Sequence, residues 1–232
     1  MFTISTSKPV EYIRIYVPWS NILNGSFVSD GIQLEEKNIA TSYTDSTREK
    51  ETLTIPTASV INPQEGTIEA WVYVNNAIKN TSVWRYIFGH GSDNTRNWIA
   101  LRHTTDNKWE ARTSNAAGQS SGVAVPDTLT VDWHHFAMRW SPTELALFID
   151  GVKVGSVSNP KLPDTLEPTA KIGSWGLGDY GWVNTVIDEF RVSNRARTDQ
   201  EIQSAYNSQL PVDAWTTLKL DFNGNLNAQS GQ

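Results

Sequence analysis

Apolar and polar residues alternate along most of this chain, with the two-residue period of a half-buried β-strand. Residues 11–17 set Tyr12, Arg14 and Tyr16 against Ile13, Ile15 and Val17. Residues 67–74 put Ile68, Ala70, Val72 and Val74 on one side. Residues 133–140 put Trp133, His135, Ala137 and Arg139 opposite His134, Phe136, Met138 and Trp140. Shorter strands are predicted over 27–34, 52–55, 84–88, 98–103, 108–113, 169–173, 183–192 and 213–222. The sharpest local signal is Asp150-Gly151 between the alternating runs 144–149 and 152–157. Both positions of a two-residue hairpin turn need positive φ, which Asp-Gly supplies. One segment reads as helix. Thr198 and Glu201 form a capping box, and Ile202, Ala205 and Tyr206 recur at helical spacing for about two turns. Many short strands divided by polar turns predict an all-β sandwich or closed barrel.

Composition narrows the partners. The 232 residues suffice for one large sandwich or two small domains. The polar stretch 35–50 reads as a linker between units. Ten Trp are many for this size, and most of their rings are expected to fill a core between two sheets. The net charge of −6, with no Lys/Arg run, argues against nucleic acid and acidic membrane surfaces as partners. A neutral ligand suits this balance better. No cysteine is present, which excludes disulfides and thiolate metal sites. Residues 1–5 lack the basic segment and apolar run of a signal peptide. No stretch approaches membrane-spanning length.

Six elements, in order, carry a family likeness. They are Gly66–Val72, Ile87–Gly91, Trp133-His134-His135-Phe136-Ala137, Leu147–Gly151, Ile172-Gly173 with Ile187–Val192, and Asp199–Tyr206. Together they resemble the laminin-G-like domains of the concanavalin A-like lectin/glucanase superfamily. The resemblance implies a two-sheet antiparallel jelly-roll sandwich with one short C-terminal helix, occupying residues 46–232. Residues 1–45, through Asp30–Glu36 and Ala40–Tyr43, resemble the end of a carbohydrate-binding jelly roll seen in phage tail and minor structural proteins. Residues 217–227 resemble segments bordering such units.

Catalysis finds little footing. A jelly-roll glucanase sets two carboxylates on one strand toward one groove, but Asp188 and Glu189 are adjacent and expected on opposite faces. Glu65 and Glu69 are four apart, with Glu65 before the strand. No Gly-x-Ser-x-Gly elbow is present. Adjacent His134 and His135 face opposite ways on a strand and read as structural, each hydrogen-bonded. Laminin-G-like sandwiches often carry a calcium ion held by oxygen ligands. Asp188, Asp221 and Asn223 are the candidates for it here.

Sugars present C–H patches that lie flat on Trp or Tyr, and hydroxyls that need donors and acceptors. Segment 173–182, with four glycines, reads as a loop offering Trp175, Tyr180 and Trp182 beside Asp179. Segment 89–98 adds His90, Asp93 and Arg96, and the resemblance places both segments near one rim. Trp84 and Trp109 sit in strands and are each expected either to line a concave face or to pack in the core. The resulting expectation is a non-catalytic glycan-binding module, extracellular or in a virion, with glycan and neighbouring virion proteins as partners. A polysaccharide hydrolase and a structural or protein-binding spacer are the alternatives, since such a fold serves all three.

Overall fold

The computed structural model describes residues 53–79, 82–93, 95–175, 181, 183, 185–208 and 212–222. All of them lie within the unit Lys50–Gln232. The expected strands at 11–17 and 27–34, and the jelly-roll likeness of residues 1–45, lie outside the described residues.

The strands in chain order are β1 (Leu53–Pro56), β2 (Gly66–Val74), β3 (Arg85–His90), β4 (Ile99–His103), β5 (Lys108–Ser114), β6 (Ser120–Pro126), β7 (Asp132–Trp140), β8 (Glu144–Ile149), β9 (Val152–Ser158), β10 (Thr169–Ile172), β11 (Ile187–Ser193) and β12 (Thr216–Leu220). Among the described residues there is one helix, α1 (Asp199–Asn207), between the last two strands. The strands form two six-stranded antiparallel sheets, ordered β1-β10-β3-β4-β5-β6 and β12-β11-β2-β7-β8-β9. The fold is the expected all-β sandwich with one short helix. The sequence reading does not anticipate β6, whose Ser-Ser-Gly start carries no apolar alternation. β11 begins at Ile187, later than the expected 183.

Alternation decides which face each residue takes. Ile68, Ala70, Val72 and Val74 of β2 and Phe136, Met138 and Trp140 of β7 point inward. They meet Ile87, Phe88, Ile99, Leu101, Trp109 and Ala111 of the opposite sheet. Glu69, Trp71 and Tyr73 therefore take the outer face of β2, as Trp133, His135, Ala137 and Arg139 do on β7. Helix α1 covers part of that face. Ile202 packs with Ala137, Ala146 and Phe148. The Thr198/Glu201 capping box forms as expected.

The Asp150-Gly151 turn forms too, with φ of 51° and 75°. A Cβ on Gly151 would lie 3.0 Å from Cβ of Tyr206, so the turn lies directly against α1. Asp150 also accepts from His134 Nδ1 at 2.8 Å and from the His135 backbone N–H at 3.0 Å. The two histidines do face opposite ways, but only His134 has its ring hydrogen-bonded. His135 Nδ1 has no partner, and its Nε2 stands 3.7 Å from Glu69.

Candidate functional site

The outer face of the first sheet carries a cluster of rings and guanidinium groups. Its floor is set by cross-strand register: Arg102 of β4 pairs with Glu110 of β5 and Tyr86 of β3. Arg102 is only 3% exposed. It donates from Nε to Glu110 Oε2 at 2.7 Å, and its Nη2 lies 2.6 Å from the same oxygen. Its Nη1 donates to the Tyr86 hydroxyl at 2.7 Å. Its guanidinium carbon stands 3.8 Å above the centre of the Trp84 ring and 5.2 Å from that of Trp98. A planar cation stacked on indole and largely desolvated is worth about 2 kcal/mol. Arg112, two residues beyond Glu110, donates to Glu110 Oε1 at 3.3 Å and to Ser120 at 2.7 Å. Its guanidinium carbon lies 5.7 Å from the Trp98 ring. Arg112 is a third exposed and shows its cation to solvent.

Trp84 and Trp98 are half-buried, so each keeps ring surface at the face. Trp98 donates its indole N–H to the Asp93 carbonyl at 2.8 Å, which fixes the ring. Beneath it lies Trp175, centroid to centroid 4.5 Å, and Trp175 in turn meets Tyr86 at 4.9 Å. Gly91 makes room for the stack, because a Cβ there would lie 2.7 Å from Trp98 and 3.1 Å from Trp175. Gly181, at φ 70°, presses on the Tyr86 ring and accepts the Tyr86 backbone N–H at 2.8 Å.

The expected site residues divide into four groups. Trp84 stands on the face. Asp93 and Arg96 lie at its margin in a local turn. Asp93 Oδ1 accepts from Thr95 N–H at 2.7 Å and Arg96 N–H at 2.8 Å, while Oδ2 lies 3.2 Å from Arg96 Nε. The Thr95 backbone bond first, then the Arg96 contacts, hold the Asp93 carboxyl below its usual range.

Trp175 and His90 depart from the expectation. Trp175 is 0% exposed, its ring sealed between Tyr86 and Trp98, so glycines around it did not make it a rim residue. His90 is also 0% exposed. Its Nε2 accepts the Glu167 N–H at 2.9 Å, which leaves Nδ1 to donate to the Asn97 carbonyl at 3.0 Å. Both nitrogens are spent on tying two loops together. Burial pushes the His90 pKa down, in keeping with a neutral ring. Asp179, Tyr180 and Trp182 lie outside the described residues.

The expected calcium ligands are on the other sheet. Asp188 is in β11 and Asp221 follows β12. Lys219 puts its ammonium between acids there, 3.0 Å from Asp221 and 3.2 Å from Glu189. Burial raises the Asp188 carboxyl, and the nearby Asp221 adds to it. Asn223 lies outside the described residues. Among the described residues, no group of three or more His, Asp or Glu is placed to hold a metal ion. A bulge between Asp188 and Arg191, with Glu189 at φ 49°, also breaks the alternation assumed for these acids.

Tyr86, Trp98, Arg102, Glu110 and Arg112 are the residues that sequence reasoning missed. For four of them the signal was present as positions on β3, β4 and β5, with Trp98 just ahead of β4, but only the strand register shows that they meet.

Residues 47–203 match the family model described as the concanavalin A-like lectin/glucanases superfamily. Among solved structures, the chain is similar to the botulinum neurotoxin serotype D binding domain, at 12% identity and a TM-score of 0.55 over 74% of this chain and 45% of that one. It is also similar to a candidate carbohydrate-binding protein from Bacteroides ovatus, at 19% identity and a TM-score of 0.53 over 70% of this chain and 46% of that one. The chain spans less than half the length of either structure. At these identities the likeness is one of fold. No curated protein matches the chain.

Proposed function

The chain belongs to the concanavalin A-like lectin/glucanase superfamily, and on that premise we propose that it is a non-catalytic carbohydrate-binding module. Its sugar lies on the outer face of the first sheet. The observation that carries this reading is the pair of half-buried indoles, Trp84 and Trp98, both gathered at the Arg102 guanidinium that Glu110 holds, with Arg112 a third exposed beside them. Ring faces receive sugar C–H groups, and Arg112 donates to hydroxyls. The rings are held by packing and hydrogen bonds before any ligand arrives, so little ordering entropy is lost on binding. Asp93 and Arg96 extend the site at one margin, with Asp179, Tyr180 and Trp182 as further contacts from the glycine-rich segment.

Two observations favour binding over hydrolysis. Glu110, at the centre of the face, has both oxygens engaged by guanidinium groups, so it is poorly placed to deliver a proton or attack a sugar carbon. The likeness to a binding domain of a neurotoxin and to a candidate carbohydrate-binding protein points the same way. We place the module outside the cell, on a secreted protein or a virion, where surface or cell-wall glycan is met. A bound calcium ion remains part of this proposal for the Asp188–Asp221 end, and titration of the metal against the folded protein tests it.

A glycan array or cell-wall pull-down tests the main reading. Trp98→Ala and Trp84→Ala are each expected to weaken binding about 30-fold, the loss of a contact worth about 2 kcal/mol. Calorimetric titrations in which both variants keep every binding event of the intact protein refute the assignment of this face. Absence of glycan binding together with tight binding to a neighbouring protein refutes the function.

A further inference from the structure

The opposite sheet has its own cavity, of about 140 Å³, between α1 and the outer faces of β2, β7, β11 and β12. It is far smaller than the about 300–1,000 Å³ of sites that enclose larger ligands. One wall is aromatic. Trp71 and Tyr206 stand nearly parallel, 23° apart, with centroids 5.6 Å from each other. Tyr206 is 37% exposed. The other wall is ionic but balanced. Glu69 is held by Arg191 through two hydrogen bonds, and Glu189 by Lys219 at 3.2 Å. Two carboxylates facing two cations give a lining with no net charge, which favours a neutral ligand over an ion.

Two buried polar atoms of this lining, Glu69 Oε1 and His135 Nδ1, make no hydrogen bond, although their residues are 1% and 3% exposed. The nearest contact of Glu69 Oε1 with a ring nitrogen is His135 Nε2 at 3.7 Å. Native interiors seldom leave such groups unsatisfied, because each one costs about 1–3 kcal/mol. A hydroxyl both donates and accepts, so hydroxyl groups entering the cavity answer both needs.

The rings continue beyond the cavity. Alternation puts Tyr73 on the same face as Trp71, about 6.8 Å further along the strand. Trp133 stands directly across from Tyr73 on β7, with the rings 5.8 Å apart, and is 39% exposed. A row of rings leaving a neutral, hydroxyl-seeking cavity is a track for successive units of a chain.

We propose that this face is a second saccharide site. The cavity takes one neutral sugar unit, and the following units of the same glycan run over Tyr73 and Trp133. The inference rests on the carbohydrate reading for its class of ligand, but not on the residues of the first face.

The test uses the full chain and a panel of neutral hexasaccharides (β-1,3-glucan, β-1,4-glucan and chitin), titrated calorimetrically. The intact protein is expected to bind two oligosaccharides. Trp98→Ala is expected to keep one. Trp71→Ala and, outside the cavity, Trp133→Ala are each expected to weaken the other at least ten-fold with unchanged circular dichroism. A single site that Trp98→Ala removes, and that neither Trp71→Ala nor Trp133→Ala alters, overturns the second site and leaves the first. Loss on Trp71→Ala and Trp133→Ala with no effect of Trp98→Ala supports the second site and overturns the first. No binding of any hexasaccharide by the intact protein, or self-association abolished by Trp133→Ala without sugar binding, overturns this proposal.

Discussion

Replacing Glu110 by Gln separates what holds the first face together from what it binds. The carboxylate takes two contacts from Arg102, at 2.7 and 2.6 Å, and one from Arg112 at 3.3 Å. An amide has one oxygen, so one of the two guanidinium groups must face its NH₂. Turning the oxygen toward Arg102 keeps the shorter bonds but leaves a 3%-exposed cation without a countercharge. Removing one partner of a buried pair costs about 3–5 kcal/mol. The retained amide oxygen puts the expected loss at the lower end, about 3 kcal/mol. Urea unfolding at neutral pH measures it. With a slope of about 3 kcal/mol per molar, the midpoint is expected to fall by about 1 M. A fall below about 0.2 M refutes the reasoning, since it means that Arg102 finds compensation without its acid. The double variant Arg102→Met with Glu110→Leu sharpens the test. Apolar groups of similar volume commonly restore the stability of a broken pair, so its midpoint is expected to return most of the way. Sugar binding is expected to stay weak, because Trp84 has lost the cation stacked upon it.

Other outcomes follow from the same geometry. Gly151→Ala is expected to destabilise the fold by about 1–3 kcal/mol in thermal unfolding, since φ is 75° and the added methyl meets Tyr206 at 3.0 Å. Burial lowers the pKa values of His90 and His135, the latter against the pull of Glu69. The unfolded chain then binds more protons than the folded one near and below pH 6.5, so stability is expected to fall as pH drops through that value. Calorimetry between pH 8 and 5 checks this, and His90→Gln is expected to flatten part of the slope. At the acid end Arg195 holds Glu201 down to about 2. Burial pushes Asp213 up, yet Arg197 and Thr216 bring it to about 2 as well. The stability these two acids supply is present above about pH 4.5 and lost as pH falls toward 2, a dependence that Glu201→Gln is expected to reduce.

The parts of the fold legible in the sequence were those governed by local rules. Asp150-Gly151 needs positive φ wherever it sits, and Thr198 with Glu201 caps a helix from within four residues. The alternation of 133–140 predicted the inward face of Phe136, Met138 and Trp140 in β7. The site was harder to read because its parts are distant in sequence. Arg102 and Glu110 are neighbours only through the β4–β5 register, and Trp84 reaches Arg102 from just ahead of β3. Trp175 shows the limit most plainly. Its glycine-rich surroundings predict a loop, yet nothing local reveals that Gly91, seven strands earlier in the chain, leaves a seat for its ring. Likewise, the bulge at Glu189 undoes a two-residue rule that held elsewhere on the same sheet.

The ladder between β2 and β7 joins Gly66 to Trp140 at one end and Val74 to Asp132 at the other. Every strand of the first sheet except β1 and β10 lies in the chain between them. On the ribosome, the second sheet therefore has no centre until Trp140 has emerged, and β2 waits with its inward aliphatic residues uncovered. β11 and β12 arrive later still to close its other flank. Shortened forms ending ahead of Trp140 leave that apolar edge without a mate, and are expected to aggregate when expressed.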